Sequence, residues 1–279
     1  MKLQFENVQI SKATASYKFL RLDQPGFNGN WHYHPELELT YIERGEGIRF
    51  MGDHIGSFTG GDLVLVGEQL PHNWISAENH SEENCIAYVF QFEKDLFSQF
   101  PECIPLMKLF RQSSKGIHFL KPSEQLLLTI QTFESLTPAE RLFTLMKILN
   151  DLQEDKNRML LSSISYNEAP PKAAQNKVSN ITNYIMERLD KPLPLEEIAH
   201  FSKMTTTSFC RWFKNATGNS FVNYLNSARI EKACYELLHS DKRVSEIAYS
   251  TGFETVGHFN RTFKKLKGIP PSQYRKNFI

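Results

Sequence analysis

Three histidines and one glutamate in the first third of the chain are residue types that bind transition metals. His32, His34 and Glu38 lie close together, and His72 follows a turn further along. Because every second side chain of a β-strand points to the same face, we expect His32, His34 and Glu38 to share one face. Imidazole and carboxylate ligands suit Zn, Fe, Mn, Ni or Cu. The set therefore predicts a site for a divalent metal ion.

The same side chains have two other interpretations. They can line the pocket of a small-molecule effector together with Arg49 and Trp74, or they can form a cluster that only stabilises the fold. Buried polar groups are costly without partners, so we expect a metal, water or ligand to satisfy them. The residue types alone leave these three interpretations open.

The segment that carries these residues has a β pattern. Short apolar or alternating runs between residues 17 and 92 are separated by Gly, Asp and Pro, which predicts an antiparallel sandwich or barrel. From Ser123 the period becomes helical, and residues 137–140 form a capping box with Pro at the first helical position. The helix from Pro138 to about residue 155 carries an apolar stripe of Leu142, Leu145, Met146, Leu149 and Leu152. This stripe covers the β domain or pairs with a second copy, and we expect a homodimer.

Composition and charge limit the classes of protein to which the chain can belong. The 279 residues, 41% hydrophobic and 23% charged, are typical of a soluble protein with two domains. No apolar run approaches the ~20 residues of a membrane span, so we expect a cytoplasmic protein that does not contact a membrane. Residues 1–175 carry 16 basic and 22 acidic side chains, and residues 176–279 carry 16 and 9. The second part is therefore the one suited to a polyanion.

The last hundred residues contain an internal repeat at an offset near 50. Residues 195–199 match residues 244–248, residues 209–214 match residues 259–264, and Gly218 matches Gly268. Each copy predicts a short helix, a turn, and a second helix that begins after Thr205 or Thr255 and carries aromatics four residues apart. That is the pattern of a helix-turn-helix unit, although two helical hairpins with basic surfaces would share it.

The second helix of such a unit, its recognition helix, lies in the major groove of DNA. If the aromatics are buried, the opposite faces present Thr207, Cys210 and Arg211 in the first copy and Gly257, His258 and Arg261 in the second. Arg can bond guanine through two hydrogen bonds, and short side chains allow close approach. Lysines near the far ends of these helices are suited to phosphates, and these are Lys214, Lys264, Lys265 and Lys267.

Residues 178–276 resemble the DNA-binding domain of AraC-type transcription regulators. The resemblance is carried by IAYSTGFETVGHFNRTFKKLKGIPPSQYR at residues 247–275. It implies that a linking helix, here about residues 221–240, joins the two units rigidly so that both enter successive major-groove segments. The first recognition helix departs from the family's more polar pattern at Thr207 and Cys210.

The N-terminal pattern resembles the first motif of cupin barrels. Gly26, His32, His34, Glu38 and Gly45 follow G-x5-H-x-H-x3-E-x6-G, and His72 falls in a second motif that departs from the family at Gly67, Gln69 and Ser76. The resemblance implies a barrel whose lining often binds a divalent metal. We therefore predict a multidomain α and β protein, with an N-terminal cupin-like β-barrel and helical extension and a C-terminal all-α domain with two helix-turn-helix units.

The predicted division is residues 1–161 for effector sensing and dimerisation, 162–176 as a linker rich in Ser, Pro and Ala, and 177–279 for DNA binding. The predicted function is a sequence-specific transcription regulator that binds a double-stranded DNA operator under the control of a small molecule in the barrel. The alternative is a metal-dependent cupin enzyme, an oxygenase or isomerase, with a nucleic-acid-binding tail. Only the His32, His34, Glu38 and His72 set supports that alternative.

Overall fold

The computed structural model describes residues 15–27, 31–77, 83–163, 166 and 172–278, without the side chains of 172–176, 179 and 278. The N-terminal part has nine strands among these residues, with three α-helices after the seventh. The strands are β1 Tyr17–Gln24, β2 Leu37–Arg44, β3 Gly47–Met51, β4 His54–Phe58, β5 Leu63–Val66, β6 His72–Ser76, β7 Cys85–Phe92, β8 Ile117–Phe119 and β9 Arg158–Leu160. The helices are α1 Ile104–Gln112, α2 Glu124–Gln131 and α3 Pro138–Glu154.

The strands form two antiparallel sheets. The larger has the order β1-β7-β2-β5-β8-β9 and the smaller the order β4-β3-β6. An isolated bridge between His32 and His72 adds the segment before β2 to the edge of the smaller sheet. A shared core that includes Ile42 and Val64 of the larger sheet and Met51 and Trp74 of the smaller joins the two. The predicted antiparallel β structure is confirmed, with β8 and β9 lying beyond its expected end.

The central strands β7, β2 and β5 of the larger sheet are buried on both faces, and their alternate side chains enter two different cores. Glu38, Thr40 and Ile42 face the smaller sheet, whereas Leu37, Leu39 and Tyr41 share a core with the α-helices. The predicted capping box begins α3, and Leu145 and Leu149 of that helix are fully buried in the helical core. The leucine stripe thus covers the protein's own sheet. It is not available to a second copy, which corrects the basis of the predicted dimer.

The C-terminal domain is helical throughout the residues described. Its helices are α4 Lys172–Met186, α5 Leu195–Phe201, α6 Thr206–Thr217, α7 Phe221–His239, α8 Val244–Ser250, α9 Val256–Lys267 and α10 Pro271–Phe278. Helix α4 starts inside the predicted linker, whose earlier residues, apart from 162, 163 and 166, lie outside the described residues. None of the helices described has both the length and the apolar character needed to cross a membrane. The expected fold class, a sheet-rich domain followed by an all-helical one, is confirmed.

Helix α7 belongs to both helix-turn-helix units. Its first half places Phe221 and Tyr224 in the core around α6, and its second half places Ile230 and Leu237 in the core around α9. The predicted linking helix over residues 221–240 is therefore present as one continuous helix that packs in both cores.

Candidate functional site

Both recognition helices, α6 and α9, begin and end as their sequences predict. The Thr205 hydroxyl accepts a hydrogen bond from the Ser208 amide at 3.3 Å, and Thr255 caps α9 through the His258 amide at 3.2 Å. Each helix ends at a glycine in the left-handed region, Gly218 or Gly268. The caps satisfy backbone groups that a helix end otherwise leaves unpaired.

Buried aromatic side chains set the outward face of each recognition helix. Phe209 and Phe213 lie 5.3 Å apart between ring centroids, Phe259 and Phe263 lie 5.6 Å apart, and all four are fully buried. The opposite face must then meet solvent. Nine of the ten residues predicted to contact bases or phosphates are exposed: Thr207, Cys210, Arg211, Lys214, Gly257, His258, Arg261, Lys264 and Lys265.

Lys267 does not belong to this exposed set. Its ammonium donates to both carboxylate oxygens of Glu231, at 2.7 and 2.8 Å. Burial lowers the pKa of Lys267, but the Glu231 carboxylate outweighs it and holds the pKa above its usual value. The lysine is therefore charged at neutral pH and engaged inside the protein. The expectation that it contacts phosphate is wrong for this arrangement.

The metal-type residues of the N-terminal domain converge. One ligand atom from each of His32, His34, Glu38 and His72 lies within 4.8 Å of the others. We expected His32, His34 and Glu38 to share one face of a strand, and this was wrong. Of the four residues, only Glu38 on β2 and His72 at the start of β6 lie on strands. His32 reaches the site through its bridge to His72, and His34 lies in the segment between His32 and β2.

Backbone carbonyls orient two of the imidazoles. His72 Nδ1 lies 2.7 Å from the Leu70 carbonyl oxygen, and His34 Nδ1 lies 3.1 Å from that of Glu36. Since a carbonyl only accepts, both Nδ1 atoms donate, which leaves each Nε2 facing the Glu38 carboxylate at 3.0 Å for His34 and 3.5 Å for His72. A proton on His34 Nε2, or a cation bound by both nitrogens and the carboxylate, would satisfy this arrangement. Imidazoles held in this way by carbonyls are typical of metal sites, so the residues fit a divalent ion.

Two further residues hold Glu38, and sequence reasoning missed both. The Thr40 hydroxyl donates to one carboxylate oxygen at 2.7 Å, and the Gln91 amide donates to the other at 2.9 Å. Burial raises the pKa of Glu38, yet the charge of His72 and the hydrogen bond from His34 bring it well below its usual range. Thr40 lies two positions after Glu38 on the same strand, so the alternation of a strand could have indicated it, whereas Gln91 comes from a distant strand.

A cavity of about 210 Å³ opens beside this cluster. Its polar groups come from Gln24, His32, Glu38, Thr40, Asn73 and Gln91. Its apolar lining comes from four strands of the two sheets and the segment after β1, and includes Leu20, Leu22, Phe27, Ile42, Trp74, Ala87 and Val89. A concave apolar pocket with a few convergent polar groups suits a small ligand.

Of the two further residues predicted for this pocket, Trp74 lines the cavity and Arg49 does not. Arg49 on β3 forms a buried ion pair with Asp62, which also accepts from Trp74 Nε1 at 3.2 Å. His118 Nε2 lies 3.2 Å from the same carboxylate. Arg49 is therefore connected to the cavity through Asp62 and Trp74 rather than exposed in it.

Comparison with known proteins matches both halves of the chain. A family described as the AraC-like ligand binding domain matches residues 17–166, and one described as a helix-turn-helix domain matches residues 198–277.

The chain is also similar to individual regulators and to a solved structure. The transcriptional activator RhaS of Enterobacter sp. (strain 638) is 23% identical over 92% of this chain and 90% of that protein. A helix-turn-helix transcriptional regulator of Staphylococcus aureus is 31% identical over 36% of this chain, which spans only 13% of that regulator. Among solved structures, the C-terminal domain of AraT, a response regulator from Geobacillus stearothermophilus, is 33% identical over 36% of this chain and 84% of that one, with a TM-score of 0.35.

Proposed function

Since the chain belongs to the AraC family of DNA-binding transcription regulators, we propose that its N-terminal cavity binds a small molecule over a divalent metal ion and thereby controls DNA recognition. The observation that carries the proposal is the convergence of His34 Nε2, His72 Nε2 and the Glu38 carboxylate beside a cavity. His72 Nε2 has no hydrogen-bond partner among the residues described. A metal ion would satisfy that nitrogen and polarise a ligand oxygen in the cavity.

The DNA side of the proposal rests on the outward faces of α6 and α9. Arg211 and Arg261 are exposed on these faces, and we expect them to read bases beside His258, with the short side chains of Thr207 and Cys210 and the bare backbone of Gly257 allowing close approach. Lys214 and Lys264 are exposed on later turns of the same helices and suit phosphates. The proposed partner is a double-stranded DNA operator with one half-site for each recognition helix, bound in the cytoplasm.

We expect elemental analysis of the purified chain to find about one divalent ion per molecule, because three or four protein ligands hold such ions tightly. His34→Ala and Glu38→Ala should each abolish it. His118→Ala is the matched control, since this histidine lies in the same domain but outside the cluster and should leave the metal content unchanged.

Two other results would decide against the metal. If the chain carries none and the two substitutions abolish only the response to a small molecule, the cavity is an effector pocket whose polar groups the ligand satisfies. If they change neither metal content nor response, yet lower the unfolding temperature, the cluster is structural.

We further propose a homodimer through α3. The inner face of that helix covers the larger sheet, but Phe143 on its outer side is 68% exposed, and Leu128 on neighbouring α2 is 52% exposed. Helices α2 and α3 pack against each other, and an apolar patch formed by their exposed side chains would suit association of two copies. We expect sedimentation equilibrium to give a dimer for the unmodified chain and a monomer for Phe143→Lys. An unmodified chain that is monomeric at micromolar concentration would contradict this proposal.

Binding rather than catalysis is the role we propose for the cavity. The matched relatives bear the names of transcription regulators, and ligand control requires only that the ligand favour one state of the chain. The enzyme alternative predicts turnover of a small molecule by the metal-loaded chain without DNA. Loss of that turnover in Glu38→Ala would support it.

A further inference from the structure

The β3–β4 hairpin of the N-terminal domain, residues 47–58, packs on the C-terminal domain. Phe50 is 1% exposed and stacks on Tyr224 of α7, with ring centroids 5.8 Å apart and an angle of 20° between the planes. Ile48 and Phe50 lie in the same core as the buried aromatics of α6. The two domains therefore share a core on this side of the hairpin.

The turn of the hairpin meets the end of the first recognition helix. The Asn219 side chain donates to the Asp53 carbonyl oxygen at 2.7 Å. Gly218, which ends α6, lies so near that a Cβ atom there would be 2.6 Å from Cβ of Asp53. This close approach, together with a φ of +73°, requires glycine at that position.

The far end of the hairpin reaches the second recognition helix through Glu231. The Ser57 amide on β4 donates to Glu231 Oε2 at 3.0 Å, and Lys267, the last residue of α9, donates to both oxygens of the same carboxylate. Glu231 is 5% exposed. Burial, together with Arg49 and Lys267, lowers the pKa of His54 in the same hairpin to about 4, so His54 adds no charge to this contact at neutral pH.

We propose that the β3–β4 hairpin braces the two recognition helices against each other, and that Glu231 is the positioning residue at the α9 end. The hairpin contacts the C-terminal end of α6 directly and that of α9 through Glu231 of α7, whereas the DNA-facing residues of both helices stay exposed. The docked domain therefore favours DNA that engages both units at once. This inference rests on the proposed DNA contacts of α6 and α9.

The physical reason is the cost of ordering two binding units. When both units must bind one duplex, any freedom between them is lost on binding and weakens the affinity. Contacts that fix the relative position of the two units before binding remove that cost. They do not raise the affinity for a duplex with one half-site, because such a duplex engages only one unit. The brace should therefore act on two-half-site DNA alone.

The β3–β4 hairpin is also connected to the cavity of the N-terminal domain. The opposite side of β3 carries Arg49, whose ion pair with Asp62 is shared with Trp74 in the cavity lining. A ligand that displaces Trp74 would act on the strand that carries Phe50. The hairpin thus connects the cavity with both recognition helices.

The sharpest test removes a single hydrogen bond. Strand β4 is an edge strand, and the Ser57 amide points away from β3, toward Glu231. Proline is tolerated at such edge positions, so Ser57→Pro removes this donor without breaking the sheet ladder. Ser57→Ala is the matched control because it keeps the amide. The probe is a duplex that the unmodified full-length chain selects from random sequence, with versions in which one half-site is scrambled.

We expect Ser57→Pro to weaken binding to the two-half-site duplex by about fivefold or more, the lower range of coupling between sites, and to leave single-half-site binding unchanged. Ser57→Ala should match the unmodified chain on every duplex. Equal affinities for Ser57→Pro and Ser57→Ala, or tighter binding by Ser57→Pro, would overturn the brace. If the unmodified chain shows no preference for two half-sites, the proposed DNA contacts fail instead.

If Ser57→Pro does not fold, Glu231→Gln tests the same contact from the other side. It removes the charge that holds Lys267, whereas the control Glu236→Gln removes the carboxylate on the same helix that pairs with Lys242 inside the C-terminal domain. Inserting base pairs between the half-sites should weaken binding by Glu231→Gln less than binding by the unmodified chain. Glu236→Gln should lose as much affinity as the unmodified chain does. Destabilisation alone lowers the unfolding temperature without changing the dependence on spacing. An unchanged spacing dependence in Glu231→Gln would therefore contradict the proposal.

Discussion

Leu149→Lys is expected to unfold the N-terminal domain. Leu149 is fully buried between α3 and the larger sheet, in a core shared with Leu145, Ile148 and Phe133. Removing a buried leucine costs about 2–5 kcal/mol, and an unpaired ammonium in the same place adds a desolvation cost. The total is comparable to the whole stability of a domain, about 5–15 kcal/mol. Circular dichroism during heating should show the sheet signal lost at a much lower temperature.

Asn150→Lys is the control on the same helix. Its side chain is exposed, so the same charge there should change stability by less than about 0.5 kcal/mol. If Leu149→Lys instead gave a folded monomer, α3 would have to turn its leucine stripe outward, and the packing described here would be wrong.

Arg261→Ala is expected to weaken binding to the preferred duplex by about 1–3 kcal/mol, or roughly 5- to 150-fold. Arg261 is exposed on α9, one turn after Gly257 and on the face opposite the buried Phe259 and Phe263. An arginine that bonds a guanine carries sequence information, so its loss should also relax the preference at one base pair. Competition binding at fixed salt against duplexes that differ at single positions measures both effects.

Lys264→Ala gives the comparison for the same helix. A lysine on phosphate contributes to binding of every sequence alike, and its loss should reduce the salt dependence of affinity by about one counterion. Should Arg261→Ala bind the preferred duplex as tightly as the unmodified chain at matched salt, α9 would not be a recognition helix.

The helix-turn-helix units could be predicted from the sequence because their determinants are local. Thr205 and Thr255 cap helices through amides three residues away, and the paired phenylalanines lie one turn apart. In the turn of the second unit Gly252 adopts a φ of +82°, a conformation that favours glycine, whereas Lys203 adopts +54° at the equivalent position of the first unit. Caps, helical period and turn chemistry all act within a few residues, so a single sequence displays them.

The sequence predicted the residue types of the cavity but not the way in which the fold brings them together. His32, His34, Glu38 and His72 do converge, but through a bridge and a loop rather than along one strand. The cross-strand register that places Gln91 opposite Glu38 is a pairing of distant segments, and no local pattern specifies it. Gln91 could therefore not be assigned to Glu38 in advance.

The sequence by itself determined the two repeated units, their caps, the exposed faces of α6 and α9, and the residue types of the cavity. Tertiary structure alone decided that Leu145 and Leu149 face the protein's own sheet and that Lys267 is held by Glu231 rather than free for phosphate. In the sequence, an apolar stripe or a lysine looks the same whether it packs inside the protein or contacts a second copy or DNA. The role depends on which apolar surface or opposite charge the fold brings next to it, and Glu231 lies 36 residues from Lys267.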